Sequence, residues 1–337
     1  MKILLIRLGA LGDIVHALPV AAALRARHPE VQIDWLVDRR HAALLEFVPA
    51  VTRRVVVDSR RWGAAFGAVR GLRRQRYDVA VDLQGLVKSA AFARLSGAAR
   101  VIGFARAHLR ERLAAGFYSE TCDPDDAGHV IDKNLSVLAL FDIAERRRQF
   151  PLEIPESGAC EPVIGRVRRG GLRGYALINA GAAWPNKQWP PARFGEVASA
   201  LAVRHALLPV VLWGPGEQAI AANVVEASNG AAVAAPPTGI GDLLALARGA
   251  RLMVSGDTGP LHLAAAAGAP VVALFGPTDP ARNGPWDAED ISLSRFADCV
   301  CHYQRRCRRS RGCLEDLTVE DVRGAIDRRL AAAESHA

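Results

Sequence analysis

Short apolar runs that stop at glycine-bearing turns and lead into helical stretches recur along this chain, and that alternation leaves few folds open to it. Residues 3–6 are apolar without interruption, as a strand covered on both faces must be. The turn Leu8-Gly9-Ala10-Leu11-Gly12 follows, then a helical pattern over 13–27 with Ile14, Leu18, Ala21 and Leu24 on one side. Runs at 31–37, 54–57, 79–83 and 100–103 read as further strands, with helices in the gaps. Strands that alternate with helices predict parallel sheets with right-handed crossovers. Pro151, Pro155, Gly158, Pro162, Gly165, Gly170 and Gly171 crowd 151–173, which reads as an interdomain linker. The pattern then restarts, with strands at 175–179, 209–213, 252–255 and 271–275, each ending in a turn rich in Gly or Pro. A polar-faced helix over 318–333 closes the chain, with Val319, Val322, Ile326 and Leu330 on one stripe. Two Rossmann-like halves follow, with ligands expected at the carboxyl ends of the strands, in a cleft between the halves.

A length of 337 residues suits two such domains of roughly 150 residues each. No apolar run reaches the ~18–20 residues of a membrane span, and the opening run stops at Arg7, too short for a secretory signal. A soluble cytoplasmic protein is the expectation. The formal charge is +8, from 43 basic and 35 acidic residues. Lys2, Lys88, Lys133 and Lys187 are the only lysines; the remaining basic residues are arginine. Residues 51–76 hold eight Arg against one Asp, a surface suited to phosphates, carboxylates, nucleic acid or an anionic membrane face, and equally to a solvated helix. Four of the six cysteines, Cys299, Cys301, Cys307 and Cys313, lie within fifteen residues, among five arginines. Their spacing is not the usual C-x2-C pair of a zinc site; a metal and free thiols in a basic loop both remain open.

Four segments concentrate the chemistry. Ser255-Gly256-Asp257-Thr258-Gly259-Pro260-Leu261-His262 takes a strand through a glycine-flanked turn into a helix. The free backbone N–H groups of such a helix start suit a phosphate or pyrophosphate, and His262 is placed to donate to the same anion. A plain helix cap by Asp257 or Thr258 is the alternative. Trp184-Pro185-Asn186-Lys187-Gln188-Trp189-Pro190 also follows a strand, and Lys187 is a compact charge able to neutralise a leaving diphosphate. In Gly9-Ala10-Leu11-Gly12-Asp13-Ile14-Val15-His16, Asp13 falls at a helix start, where a carboxylate serves as general base or as a cap. In Asp82-Leu83-Gln84-Gly85-Leu86-Val87-Lys88-Ser89, the side chains of Gln84, Lys88 and Ser89 can grip a polar acceptor.

Together these segments resemble the heptosyltransferases of glycosyltransferase family nine, over nearly the whole chain. Lys187-Gln188-Trp189-Pro190, Asp257-Thr258-Gly259 and Gly276-Pro277-Thr278-Asp279-Pro280 carry the likeness in the second half. Arg60-Arg61-Trp62, the run from Gln84 to Ala90, and Arg110-Glu111 followed by Phe117-Tyr118 are similar to the heptosyltransferase I branch. The Arg282-Asn283-Gly284-Pro285-Trp286 loop and the cysteine segment look more like the wider family, heptosyltransferase II included.

The resemblance implies an α/β GT-B fold, two Rossmann-like domains with parallel sheets facing across a cleft. Residues 1–160 would bind the acceptor and 161–315 the nucleotide sugar, with a C-terminal helix over 316–337 packing back on the first domain. It implies an inverting enzyme that moves L-glycero-D-manno-heptose from ADP-heptose to Kdo of Kdo-lipid A in lipopolysaccharide core synthesis. Heptosyltransferase II or another family-nine enzyme with a different acceptor is the alternative. Asp13 matches the catalytic base, and Lys187 with the Thr258-Gly259 amides stabilises the departing ADP. Ala182, Ala183, Glu217, Asp257 and His262 complete the donor set; many relatives have Thr at 182 and 183. Gly12, Arg60, Arg61, Gln84, Lys88 and Arg110 would meet the acceptor. No cofactor, metal or nucleic acid is implied. Contact with the cytoplasmic face of the inner membrane would be peripheral, through 53–76 and 106–112. The remaining rivals are a nucleotide-sugar epimerase of GT-B shape, a nucleic-acid-binding module suggested by the arginines, and a dinucleotide oxidoreductase, although Gly9-x-x-Gly12 lacks the G-x-G-x-x-G spacing.

Overall fold

The computed structural model describes residues 1–59, 62–124 and 128–335, with the side chains of 62–66 left out. The chain divides into two units, Met1–Glu153 and Ile154–Ala337, a boundary seven residues earlier than the sequence suggests.

The first unit runs β1 (Lys2–Ile6), α1 (Leu11–Val15), α2 (Leu18–Arg27), β2 (Gln32–Asp38), β3 (Arg53–Val57), α3 (Trp62–Arg73), β4 (Val79–Asp82), α4 (Val87–Leu95), β5 (Arg100–Phe104), β6 (Glu120–Cys122) and α5 (Val130–Leu135). Its sheet has the order β3-β2-β1-β4-β5-β6 and every pair is parallel. Both β1 and β4 lie inside the sheet and bury nearly every residue, which is why they are apolar throughout. Edge strand β3 leaves Arg53 and Arg54 exposed. The single helix expected over 13–27 is two: Pro19 stands in the first turn of α2. A proline there has no N–H to give the Val15 carbonyl, and its ring crowds that oxygen.

The second unit runs α6 (Cys160–Arg169), β7 (Gly174–Asn179), α7 (Pro191–His205), β8 (Leu207–Leu212), α8 (Gln218–Ala227), β9 (Val233–Ala234), α9 (Ile240–Gly249), β10 (Leu252–Gly256), α10 (Gly259–Ala266), β11 (Val271–Phe275), α11 (Pro280–Asn283), β12 (Ile291–Ser294) and α12 (Val319–Ser335). Its sheet, β12-β11-β10-β7-β8-β9, is again all parallel and repeats the strand order of the first unit. In both sheets the order reverses where the first and fourth strands pair, β1 with β4 and β7 with β10. Ligand crevices of doubly wound sheets open beyond the carboxyl ends of strands at such a point.

Two expectations are corrected here. The linker read over 151–173 contains α6, whose Val163 is buried and which packs on β7, β8 and α9. Its Pro162 sits in the first helical turn, where the missing N–H costs nothing, so the Gly and Pro content misled. The closing helix, expected to pack on the first domain, instead buries Val322, Ala325, Ile326 and Leu330 in the second unit's own core. Trp189 Nε1 donates to the Leu317 carbonyl at 3.1 Å and Arg193 Nη1 to the same oxygen at 2.8 Å, fixing the approach to α12.

Candidate active site

The first site lies at the carboxyl ends of β1 and β4. Asp13 falls in the first turn of α1, and its Oδ2 accepts the Ala10 N–H at 2.9 Å. Oδ1 meets Arg7 Nη2 at 2.9 Å, and the Asp13 side chain keeps 41% of its surface exposed. A cap and a reactive carboxylate are therefore not exclusive: the capped side chain stays open to a substrate. Arg7, which sequence reasoning passed over as the end of a strand, also donates from Nη1 to the Leu83 carbonyl.

That carbonyl is presented by a turn built around Asp82. The Asp82 carboxylate is fully buried, and Oδ1 takes the Gln84 N–H at 2.9 Å and the Gly85 N–H at 3.3 Å. Oδ2 takes Ser89 Oγ at 2.9 Å and Tyr118 Oη at 2.8 Å. Burial pushes the Asp82 carboxyl up, against the pull of these donors. Gly85 turns the chain at φ +70°, a conformation that favours glycine. Gln84 Oε1 then accepts the Leu8 N–H at 2.7 Å, which clamps the first loop to the fourth strand.

The expected acceptor residues are placed unevenly. Gly12 is buried in α1, Gln84 is committed to the Leu8 amide, Lys88 is half-buried at the start of α4, and Arg110 is exposed. Ser89 faces Asp82 rather than a ligand. Glu111 accepts the Val87 N–H at 2.7 Å, a helix-start contact with no obvious sequence signal. Arg60 and Arg61 lie outside the described residues.

The second site lies at the ends of β7 and β10. Lys187 Nζ donates to Asp257 Oδ2 at 2.5 Å and to the Asp257 carbonyl at 3.3 Å. Thr278 Oγ1 donates to the same Oδ2 at 2.6 Å, and His262 Nε2 meets Oδ1 at 2.9 Å. Burial alone would push the Asp257 carboxyl up, but His262 and Lys187 hold it well below the usual carboxylate range. Lys187 also lies over the Trp184 ring, 4.8 Å from its centre. Gly256 lets the Lys187 loop lie close, since a Cβ there would stand 2.8 Å from the Lys187 carbonyl oxygen.

The cap alternative fails for α10. No side chain caps its first turn: Asp257 is spent on Lys187, His262 and Thr278, and Thr258 Oγ1 accepts Asn179 Nδ2 at 3.1 Å. Asn179 also reaches Ser255 Oγ and the Gly181 carbonyl, both at 3.1 Å, tying the ends of β7 and β10 together. It was legible only as a polar residue closing an apolar strand. The α10 amides are thus available to an anion, with a cation close by. His262, expected to face that anion, directs Nε2 to Asp257. Ala182 offers its carbonyl to Gln188 Nε2 at 2.9 Å, and Ala183 follows it. The Glu217 carboxylate takes the Gly214 N–H at 2.9 Å and rests against Gly181, where a Cβ would collide with it.

Among the described residues no group of three or more His, Cys, Asp or Glu is arranged to hold a metal ion. Nor is any described helix long and apolar enough to cross a membrane.

The profile of glycosyltransferase family 9 (heptosyltransferase) matches residues 66–311. The chain belongs to glycosyltransferase family 9. It is accordingly a glycosyltransferase, and the oxidoreductase reading loses its basis. Lipopolysaccharide heptosyltransferase 1 of Pseudomonas aeruginosa is 28% identical over 322 residues, covering 91% of this chain and 87% of the relative. The structure of E. coli heptosyltransferase WaaC with ADP superposes with a TM-score of 0.73 at 23% identity, covering 97% of both chains. E. coli ADP-heptose lps heptosyltransferase II superposes with a TM-score of 0.78 at 21% identity, covering 99% of this chain and 100% of that one. These likenesses show the α/β GT-B fold, two Rossmann-like units with parallel sheets.

Proposed function

We propose that this family 9 glycosyltransferase is a lipopolysaccharide heptosyltransferase that moves a heptose from ADP-heptose to the Kdo of Kdo-lipid A, with inversion. The observation that carries the reading is the uncapped start of α10 beside the Lys187–Asp257 pair, an anion site fitted to a diphosphate. Its support from relatives is that WaaC is described with ADP, and that the Pseudomonas aeruginosa relative is a heptosyltransferase 1.

Asp13 takes the proton of the attacking Kdo hydroxyl, and Arg7 keeps that carboxylate oriented. As the bond to ADP lengthens, the sugar ring gains positive charge and the diphosphate negative charge. Lys187 and the Thr258-Gly259 amides meet the growing negative charge. The Asp257 carboxylate anchors Lys187 and His262. Glu217 follows the end of β8, where the family resemblance would have it meet the nucleoside of the donor. Lys88, Arg110 and the basic segments 53–76 and 106–112 suit an anionic acceptor at the inner face of the membrane. No metal or cofactor is assigned to the reaction.

The test is incubation with ADP-heptose and Kdo-lipid A followed by mass spectrometry. A product heavier by one heptosyl unit is expected, and Asp13→Ala should lower kcat by about 10²–10⁴-fold with little change in ADP affinity. Transfer only to Kdo-lipid A that already bears a heptose would move the assignment to heptosyltransferase II. Retained turnover in Asp13→Ala would remove Asp13 from the base role.

A further inference from the structure

The cysteine segment after β12 is not absorbed by the proposed reaction, yet it is stitched to the loops of the second site. Tyr303 N–H donates to the Pro277 carbonyl at 2.8 Å, one residue before Thr278. Asn186 Nδ2 donates to the Gln304 carbonyl at 2.7 Å, one residue before Lys187. The Arg305 guanidinium lies 6.0 Å from the centre of the Trp184 ring, the ring that also carries Lys187. The pentapeptide linking Cys301 to Cys307 therefore grips both loops that position the Asp257 cluster.

The four thiols are not equivalent. Cys299, Cys301 and Cys313 are buried and Cys307 is half-buried. The Cys301 and Cys307 sulfurs lie 3.6 Å apart, and the Arg308 N–H donates to Cys301 Sγ at 2.9 Å. Burial pushes the Cys313 thiol up to about 12, with Cys299 beside it adding to the shift, so Cys313 stays a protonated and inert thiol. Arg305, Arg306, Arg308, Arg309 and Arg311 flank Cys307 along the chain; Arg309 pairs with Asp316 and Arg311 with Glu315, which leaves a net positive segment that attracts a reagent carrying carboxylates.

We propose that Cys301 and Cys307 form a thiol-modification site that reacts with an anionic low-molecular-weight disulfide of the glutathione class, closing an internal disulfide that weakens donor binding. The Cys307 thiolate attacks one sulfur of the small disulfide, forms a mixed disulfide and expels one small thiolate. The Cys301 thiolate, its charge supported by the Arg308 N–H, then attacks the Cys307 sulfur. The Cys301–Cys307 bond forms, the mixed bond breaks and the second small thiolate leaves. Two protein thiols are oxidised, one small disulfide is reduced to two thiols, and the two protons pass through solvent to those products. The sulfurs close from 3.6 Å to about 2 Å, which draws in the pentapeptide and strains its holds on Asn186 and Pro277. The effect on donor binding rests on the donor-site reading above; the thiol chemistry does not.

The experiment uses the reduced full-length protein incubated with oxidised glutathione, alkylated and mapped by tryptic mass spectrometry, with ADP affinity measured by calorimetry before and after. Cleavage at Arg305 and Arg306 separates Cys307 from the peptide that carries both Cys299 and Cys301, and fragmentation of the linked pair assigns the bond to Cys301. The expected result is that link, two fewer alkylated thiols, ADP affinity weaker by several-fold, and reversal by dithiothreitol. Cys307→Ser should keep the reduced protein's affinity and ignore the oxidant, whereas Cys301→Ser should halt at a glutathione adduct on Cys307. No Cys301–Cys307 link, a link that leaves ADP affinity unchanged, or one zinc per chain masking these thiols would each overturn the proposal. Failure to transfer heptose alongside the expected thiol and ADP results would count against the proposed acceptor alone.

Discussion

Arg7 Nη2 and Asp13 Oδ1 are 2.9 Å apart, and Arg7 reaches from the same guanidinium to the Leu83 carbonyl. One arginine on β1's exit thus couples the first loop to the turn after β4. Arg7 is mostly covered while Asp13 is not, so the cation acts as a fixed post and the carboxylate as the exposed end. In the proposed base role, a carboxylate held in this way loses little orientational freedom on the path to the transition state.

Arg7→Ala should therefore lower kcat by about 10–10²-fold, the order expected for a catalytic group displaced by an ångström. ADP affinity should stay unchanged, because Arg7 and the donor cluster belong to different units. Arg7→Lys should recover part of the loss, since it restores charge without the forked reach to Leu83. Steady-state kinetics with donor titration separates the two; equal losses in kcat and ADP affinity would contradict the positioning role.

The Lys187–Asp257 pair lends itself to a double-mutant cycle. Its side chains are 15% and 5% exposed, so Lys187→Ala leaves a buried carboxylate short of a cation, at a cost of about 3–5 kcal/mol. Asp257→Asn in the Lys187→Ala background should return much of that stability, because the uncompensated charge is gone. It should not return activity, because the cation proposed to meet the diphosphate is still missing. Urea unfolding and turnover of all four proteins read out the cycle.

Two buried aspartates should drive stability in opposite directions with pH. Asp257 is held below the ordinary carboxylate range, so around pH 4 the unfolded chain binds more protons than the native one there. Its contribution is present above the unfolded value and is lost as pH falls through and below it. Asp290 is pushed up to about 6 by burial, against the pull of Arg329 at 2.9 Å. Between about pH 4 and 6 the native state binds the extra proton, so its term weakens as pH rises through that window, by ~3 kcal/mol at most. Thermal unfolding of Asp290→Asn should lose the second slope and keep the first.

Much of the fold was legible because its inner strands are covered on both faces. Such strands must be apolar along their whole length, and 3–6, 79–83, 252–255 and 271–275 all announce themselves. Three of the four sheet edges were silent. β6, β9 and β12 are two to four residues long and partly exposed, so no apolar run marks them. The break between α1 and α2 was visible as Pro19 but outweighed by the periodicity on either side.

What the amino-acid order determined by itself was the pair of parallel sheets and the places where chemistry collects. Glycine turns after buried strands put Asp13, Gln84, Lys187 and Asp257 at carboxyl ends, a consequence of local geometry alone. Only the tertiary structure decided what each of these side chains holds. Gln84 turned to an amide 76 residues away, Asp257 to a lysine 70 residues before it, and the last helix to the core of its own unit. Hydrogen bonds of that kind are chosen by which buried polar groups remain unpaired after the sheets assemble, and nothing local in the chain records the choice.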